Sequence, residues 1–346
     1  MSVRLQVLWF SLVVVATVTT MPMTTGAQRP GPAAKPWAIS RTSDGQPDFQ
    51  GIWISRTATP LERPPALAGR ALLTDDEVAS LKARAARIFK GGNSDFAAGD
   101  AVFLAALADP AQFRSATSTH GSEEMIEREF DHHTSLVVDP PDGRIPPLTP
   151  EGQRRRQAVA AAARRSDGPD DLDNATRCIA WGTPRLGGRY GAGDLGYYQI
   201  VQSPGYVVLF METGHEVRIV PLDGRPHLPS SAKAWSGDSR GRWDGATLVI
   251  DTINFSSKSN FMGAADHLHL TERLTRVDND TIDYEMTFDD PTTWTRTWTA
   301  RMPLKRTEEP LYESACHEGN FQMLTGILSS AHADTAPARD NQPPGR

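Results

Sequence analysis

Apolar and polar residues alternate through the second half of the chain with the period of a β-strand. Tyr198, Ile200 and Gln202 precede the turn Ser203-Pro204-Gly205, and an apolar run then covers Tyr206 to Met211. Thr213-Gly214 interrupts it, His215 to Leu222 resumes it, and Asp223-Gly224 closes the segment. Asp244-Gly245 opens a further run, Ala246 to Phe255. Runs of β-branched and aromatic residues bounded by Gly, Pro and Asp predict antiparallel strands joined in hairpins. Three more strands are expected at Leu268 to Val277, Thr281 to Phe288 and Trp294 to Met302. In the second of these, Ile282, Tyr284, Met286 and Phe288 share a face; in the third, Trp294, Arg296, Trp298 and Ala300 do. With short strands at Gly51 to Ile54 and Thr134 to Val138, a meander of about seven strands plus one or two earlier ones is predicted. The expected fold is mainly β: an antiparallel up-and-down barrel or strongly curved sheet, with a sandwich as the alternative.

Helical spacing appears before this region. Leu73 to Phe89 carries Val78, Leu81, Ala85 and Ile88 on one face, and Thr74 with Glu77 forms a capping box. Ala97 to Ala108 and Ser122 to Phe130 are shorter helix candidates. Thr149-Pro150 starts another that runs to about Arg165. Its arginines, Arg154, Arg155, Arg156, Arg164 and Arg165, fit a solvated face. The expected layout is an export signal over residues 1–27, a flexible linker over 28–40, and a helical and extended wrapping segment over 41–180. The β domain then covers 181–328 and a disordered polar tail 329–346.

Composition narrows the function classes. The 346 residues carry a formal net charge of −6 without a basic block, which argues against a nucleic-acid partner. Arg4, the apolar stretch Leu5 to Val18 and the small residues Thr25-Gly26-Ala27 form the pattern of a cleaved export signal. That stretch is too short to span ~30 Å of hydrocarbon, so no membrane span is expected in a mature chain that is periplasmic or secreted. The two cysteines, Cys178 and Cys316, then suggest one disulfide, with two buried thiols as the alternative. No Cys-x-x-Cys is present, which argues against redox catalysis and a thiolate zinc site.

Two familiar motifs lack the setting that their chemistry needs. Gly237-Asp238-Ser239-Arg240-Gly241 matches G-x-S-x-G, but a loop precedes it and a strand follows, so it is no nucleophile elbow. Gly191-Ala192-Gly193-Asp194-Leu195-Gly196 matches G-x-G-x-x-G, but a strand follows instead of the helix that would receive a pyrophosphate. His267 and His269 share a strand face and are weak metal candidates, whereas the adjacent His132 and His133 would point apart.

Polar groups set among the strands carry the main functional expectation. If Thr213-Gly214 is a tight turn, Glu212 and His215 stand opposed, roughly 5 Å apart at Cβ. A carboxylate beside an imidazole fixes its tautomer and raises its basicity, which suits acid–base catalysis. The competing reading is a solvated ion pair at a hairpin tip. Arg218 and Arg242 would bind an anionic or carbonyl group. The long connection carrying His227, Trp235, Asp238, Arg242 and Trp243 would form a lid over a pocket, or else pack for stability.

The phrases PDFQGIW (47–53), VVDPPDGRIPPLTPEG (137–152), HEVRIVPLDGRPHLP (215–229), GDSRGRWDGATLVIDTINF (237–255) and YESACHEGN (312–320) together resemble a family of exported proteins of soil bacteria known as hypothetical proteins. The resemblance covers nearly the whole mature chain. It implies export and a β-rich body and brings no catalytic assignment. From the residues, the expected function is an exported small-molecule enzyme using acid–base chemistry (a lyase, isomerase or hydrolase) without an organic cofactor. A non-catalytic carrier of a small organic molecule is the first alternative, and a structural or surface-interaction protein the second.

Overall fold

The computed structural model describes residues 37–88, 99–109, 128–165, 168–186, 197–259 and 261–335. Its strands are β1 (Gly51–Ile54), β2 (Val137–Asp139), β3 (Tyr197–Ser203), β4 (Tyr206–Met211), β5 (Glu216–Pro221), β6 (Asp238–Asp244), β7 (Thr247–Ile253), β8 (His269–Arg276), β9 (Thr281–Asp289) and β10 (Trp298–Thr307). The helices are α1 (Asp75–Ile88), α2 (Gly99–Ala108), α3 (Pro150–Arg165) and α4 (Asn320–Thr335).

All the strand pairings are antiparallel, in the order β5-β4-β3-β1-β10-β9-β8-β7-β6, with β2 on β10. The sheet curls until it is nearly closed into a barrel. The meander was expected to run unbroken from Tyr197 onward. Instead β5 and β6, neighbours in sequence, are the two free edges, and continuity passes through β1, which lies between β3 and β10. The 41–180 stretch therefore supplies two strands as well as a wrap. The edges meet closely at Gly241: a Cβ there would lie 2.6 Å from Leu222 Cδ2 and 2.7 Å from Val220 Cγ1. A side chain on β6 at this point would push the seam apart.

Period-two alternation fills the interior. Trp53, Ile200, Leu209, Val220, Ile250, Leu270, Met286 and Trp298 are buried in one apolar cluster. Phe261, Phe288 and Trp298 stack face to face, with centroids 4.8 and 4.1 Å apart. A second cluster joins α1 and α2 to Ala58, Leu67, Leu73 and Phe130. The capping box of α1 is formed: Thr74 N donates to Glu77 Oε2 at 2.9 Å, and Glu77 N to Thr74 Oγ1 at 3.3 Å. Thr149 caps α3 through Gly152 N at 3.0 Å.

Some boundaries differ from expectation. Trp294 lies in a turn bridged to Leu148, and β10 starts at Trp298, because Asp290 caps the turn through the amides of Thr292 and Thr293. Helix α4 runs on to Thr335, into the stretch expected to be disordered. Ser122 to Phe130 falls mostly outside the described residues, and Glu129 forms a β-bridge with Thr57. The Gly-rich 191–196 segment also lies outside them.

Cys178 and Cys316 form a disulfide with Cα atoms 5.8 Å apart. Among the described residues, no helix is long and apolar enough to cross a membrane.

Candidate functional site

The barrel wall contains a charge network that fixes one expected binding residue in place. Arg218, on β5, points inward and is 5% exposed. Its guanidinium donates to both oxygens of Glu272 on β8 (3.0 and 2.5 Å), to Ser239 on β6 (3.2 Å) and to Thr252 on β7 (3.1 Å). Tyr284 donates its hydroxyl to the same carboxylate, and burial pushes its own pKa well up. Arg218 is thus a tie across the seam and is not open to a solute, which corrects its expected role in substrate binding. Ser239, the centre of the G-x-S-x-G match, is buried in this network. Nearby, Arg185 donates to Glu216 at 2.9 Å, and burial outweighs that contact to push the Glu216 carboxyl up.

Glu212 and His215 occupy the loop between β4 and β5. The last paired residues are Met211 and Glu216, so the two do not oppose each other on the ladder as expected. The loop is four residues long, with Gly214 at φ 73° and too close to the Trp181 ring to admit a Cβ. Each side chain instead receives a backbone amide of the chain before α4: Tyr312 N donates to Glu212 Oε2 and Ser314 N to His215 Nε2, both at 3.2 Å. His215 is exposed and stacks on Phe210. The pair holds a backbone segment.

The long connection brings a different set together. On the outer face of the sheet, the strand registers place Asp238, Ile253, His269 and Asp289 in one row across β6–β9. Arg240, Asp251, Thr271 and Thr287 form the next row, and Arg242, Val249, Arg273 and Glu285 the one after. His227, from the connection, lies over the first two rows. Its Nδ1 is 2.9 Å from Asp238 Oδ2 and its Nε2 is 2.8 Å from Asp251 Oδ1. The other Asp251 oxygen is 2.5 Å from His269 Nε2. Arg240 donates to Asp238 Oδ1 at 2.6 Å, and Leu228 N to Asp238 Oδ2 at 2.8 Å.

The result is a chain of alternating basic and acidic groups, Arg240–Asp238–His227–Asp251–His269, whose exposure rises from Asp238 to His269. The Asp238 side chain is 10% exposed and the His269 side chain 47%. The His269 hydrogen bond, aided by His227, holds the Asp251 carboxyl below its ordinary range. Asp251 in turn raises the His269 imidazole above its usual value. With Nε2–H given to Asp251, the neutral ring has its lone pair on Nδ1, which has no hydrogen-bond partner among the described residues.

Among the expected site residues, His227, Asp238 and His269 thus come together. Arg242 stands two rows from His269 and exposed, Trp243 packs inward against Phe49, and Trp235 accepts from Ser259 through its carbonyl. His267 lies in the loop before β8. Asp251, the residue that joins the chain, was not expected. Its signal is a lone carboxylate in the run Thr247 to Ile253, on a strand otherwise made of apolar and threonine residues.

Among the described residues, no group of three or more His, Cys, Asp or Glu is disposed to hold a metal ion. Comparison with protein-family models, curated proteins and solved structures finds no match.

Proposed function

We propose that the chain is an exported small-molecule enzyme that works by acid–base chemistry, with His269 as the general base. The observation that supports this is the Asp251 carboxylate set between two imidazoles, the outer of which is half exposed. An acidic partner that fixes the tautomer and stabilises the imidazolium is the arrangement general bases use. In the proposed step, Nδ1 takes a proton from substrate or from attacking water, Asp251 stabilises the resulting imidazolium, and the proton is handed to product or leaving group. His227 and Asp238 hold Asp251 in place, so they are positioning residues. Arg242, on the same face but two rows from His269, would meet an anionic or carbonyl group only at the far end of an extended substrate.

The test is turnover by the wild type and by His269→Ala on a panel of esters, lactones and hydroxy acids in D2O. Hydrolysis and deuterium incorporation would be followed by mass spectrometry. Loss of a general base should slow the reaction by about 10²–10⁴-fold. Equal turnover by the two proteins removes His269 from the chemistry.

A further inference from the structure

Away from this chain, the outer face of β9 and β10 meets the wrapping segment in an open groove of about 410 Å³. That volume is in the range that takes a small organic ligand. Its apolar surface comes from Val277 and Pro303, with the buried Leu136 and Met302 behind them. Arg56, Arg301 and Lys305 stand around it, with Glu129, Asp131 and Asp283.

The charges are not all paired within the groove. Asp283 is bound side-on by Arg301 through both oxygens. Asp131 accepts from the backbone amide of His133 and lies within hydrogen-bond distance of its ring, and it also takes the Thr59 hydroxyl. Lys305 is different. Its ammonium donates to the Thr281 hydroxyl at 2.9 Å, and no carboxylate lies within ion-pair reach of it among the described residues. Arg56 spends one amino group on Glu309, outside the groove, and its buried Nε has no partner. A half-buried ammonium with only a hydroxyl beside it is under-compensated and gains from an anion.

The geometry points to a binding site for a small monocarboxylate with an apolar body: the carboxylate at Lys305 and Arg56, the body against Val277 and Pro303. Glu129, on the same rim, selects against a second negative charge on the ligand.

The probes are octanoate, octan-1-ol and octylammonium, titrated into the full chain by calorimetry and by ¹⁵N-resolved NMR. Octanoate should bind one per chain, at least tenfold tighter than octanol, and octylammonium should be weakest. The shifted amides should include those of Arg56, Val277 and Lys305. Lys305→Gln and Arg56→Gln should each weaken octanoate about tenfold or more, leave octanol unchanged and keep the thermal midpoint, and Lys305→Arg should restore binding. Three results would each overturn the site: equal binding of octanoate and octanol, no saturable octanoate binding, or shifts that map elsewhere. The comparison of the three probes needs only the wild type, so a variant that failed to fold would not blunt it.

Discussion

At the scale of single residues, the Asp251–His269 contact makes the sharpest claim. Asp251 raises the His269 imidazole above its ordinary 6.5, so Asp251→Asn should bring its titration midpoint back down. The ring Cε1–H signal in NMR reads this directly, and an unchanged midpoint would show that the carboxylate does not govern the imidazole. The linkage to stability has two limbs. A raised histidine contributes fully below about 6.5 and loses its contribution as pH climbs through its folded value. Asp251, with its lowered carboxyl, contributes above its ordinary 3.8 and loses that contribution as pH falls through its folded value. Catalysis should follow the opposite limb from the histidine's stabilising effect, because the base must be deprotonated. The kcat/KM profile of any substrate found should rise with pH through a midpoint above 6.5 in the wild type and at lower pH in Asp251→Asn. His215→Ala supplies the contrast. It removes an acceptor from the Ser314 amide and should leave that profile in place, while hydrogen exchange at Ser314 speeds up.

At the scale of elements, the seam between β5 and β6 is held by packing at Gly241 and by the Arg218 tie. Gly241→Ala should cost about 1–3 kcal/mol, as overpacking does, and should lower the urea midpoint. Arg218→Met strands Glu272 in the wall without its cation, and should cost about 3–5 kcal/mol by the same measurement. A double change of Arg218→Met with Glu272→Met should recover part of that loss, since the uncompensated charge is then gone. Much at this scale was legible from the chain. The hairpins followed from period-two alternation between Gly- and Asp-marked turns. The starts of α1 and α3 followed from Thr74 with Glu77 and from Thr149 with Pro150. The register between distant strands was not legible, because it leaves no mark in local pattern, so the insertion of β1 went unseen. Asp251 was hidden for a related reason. Val249 and Ile250 are both buried, so β7 lacks the clean alternation that would have set Asp251 apart as an outward residue. His227 and Asp238 could be singled out as polar groups on a long connection, but the partner that joins them is brought in by sheet register alone. Arg218 misled because an arginine facing into a barrel looks, in sequence, like one facing a ligand.

At the scale of the whole molecule, Cys178–Cys316 closes a span of 138 residues that includes β3 to β10. Chain-entropy reasoning gives such a loop a contribution of up to ~5 kcal/mol, so the Cys178→Ser, Cys316→Ser double variant should unfold at markedly lower urea. A midpoint unchanged by that double variant would mean that the bond restrains little in the unfolded chain. The position of β1 carries the larger consequence. Four residues, Gly51–Ile54, join the β3–β5 hairpins to the β6–β10 meander, and their partners lie far along the chain at Tyr197–Ile200 and Lys305–Thr307. A strand synthesised before all of β3 to β10 must therefore wait for the last of them. Contacts of such long range make folding slow, and neither half of the sheet completes the other without that strand. A ribosome paused anywhere before β10 would hold a chain with β1 open along one side. The two meanders are then free to form early as local units, and the closing of the barrel becomes a single late event that awaits β10.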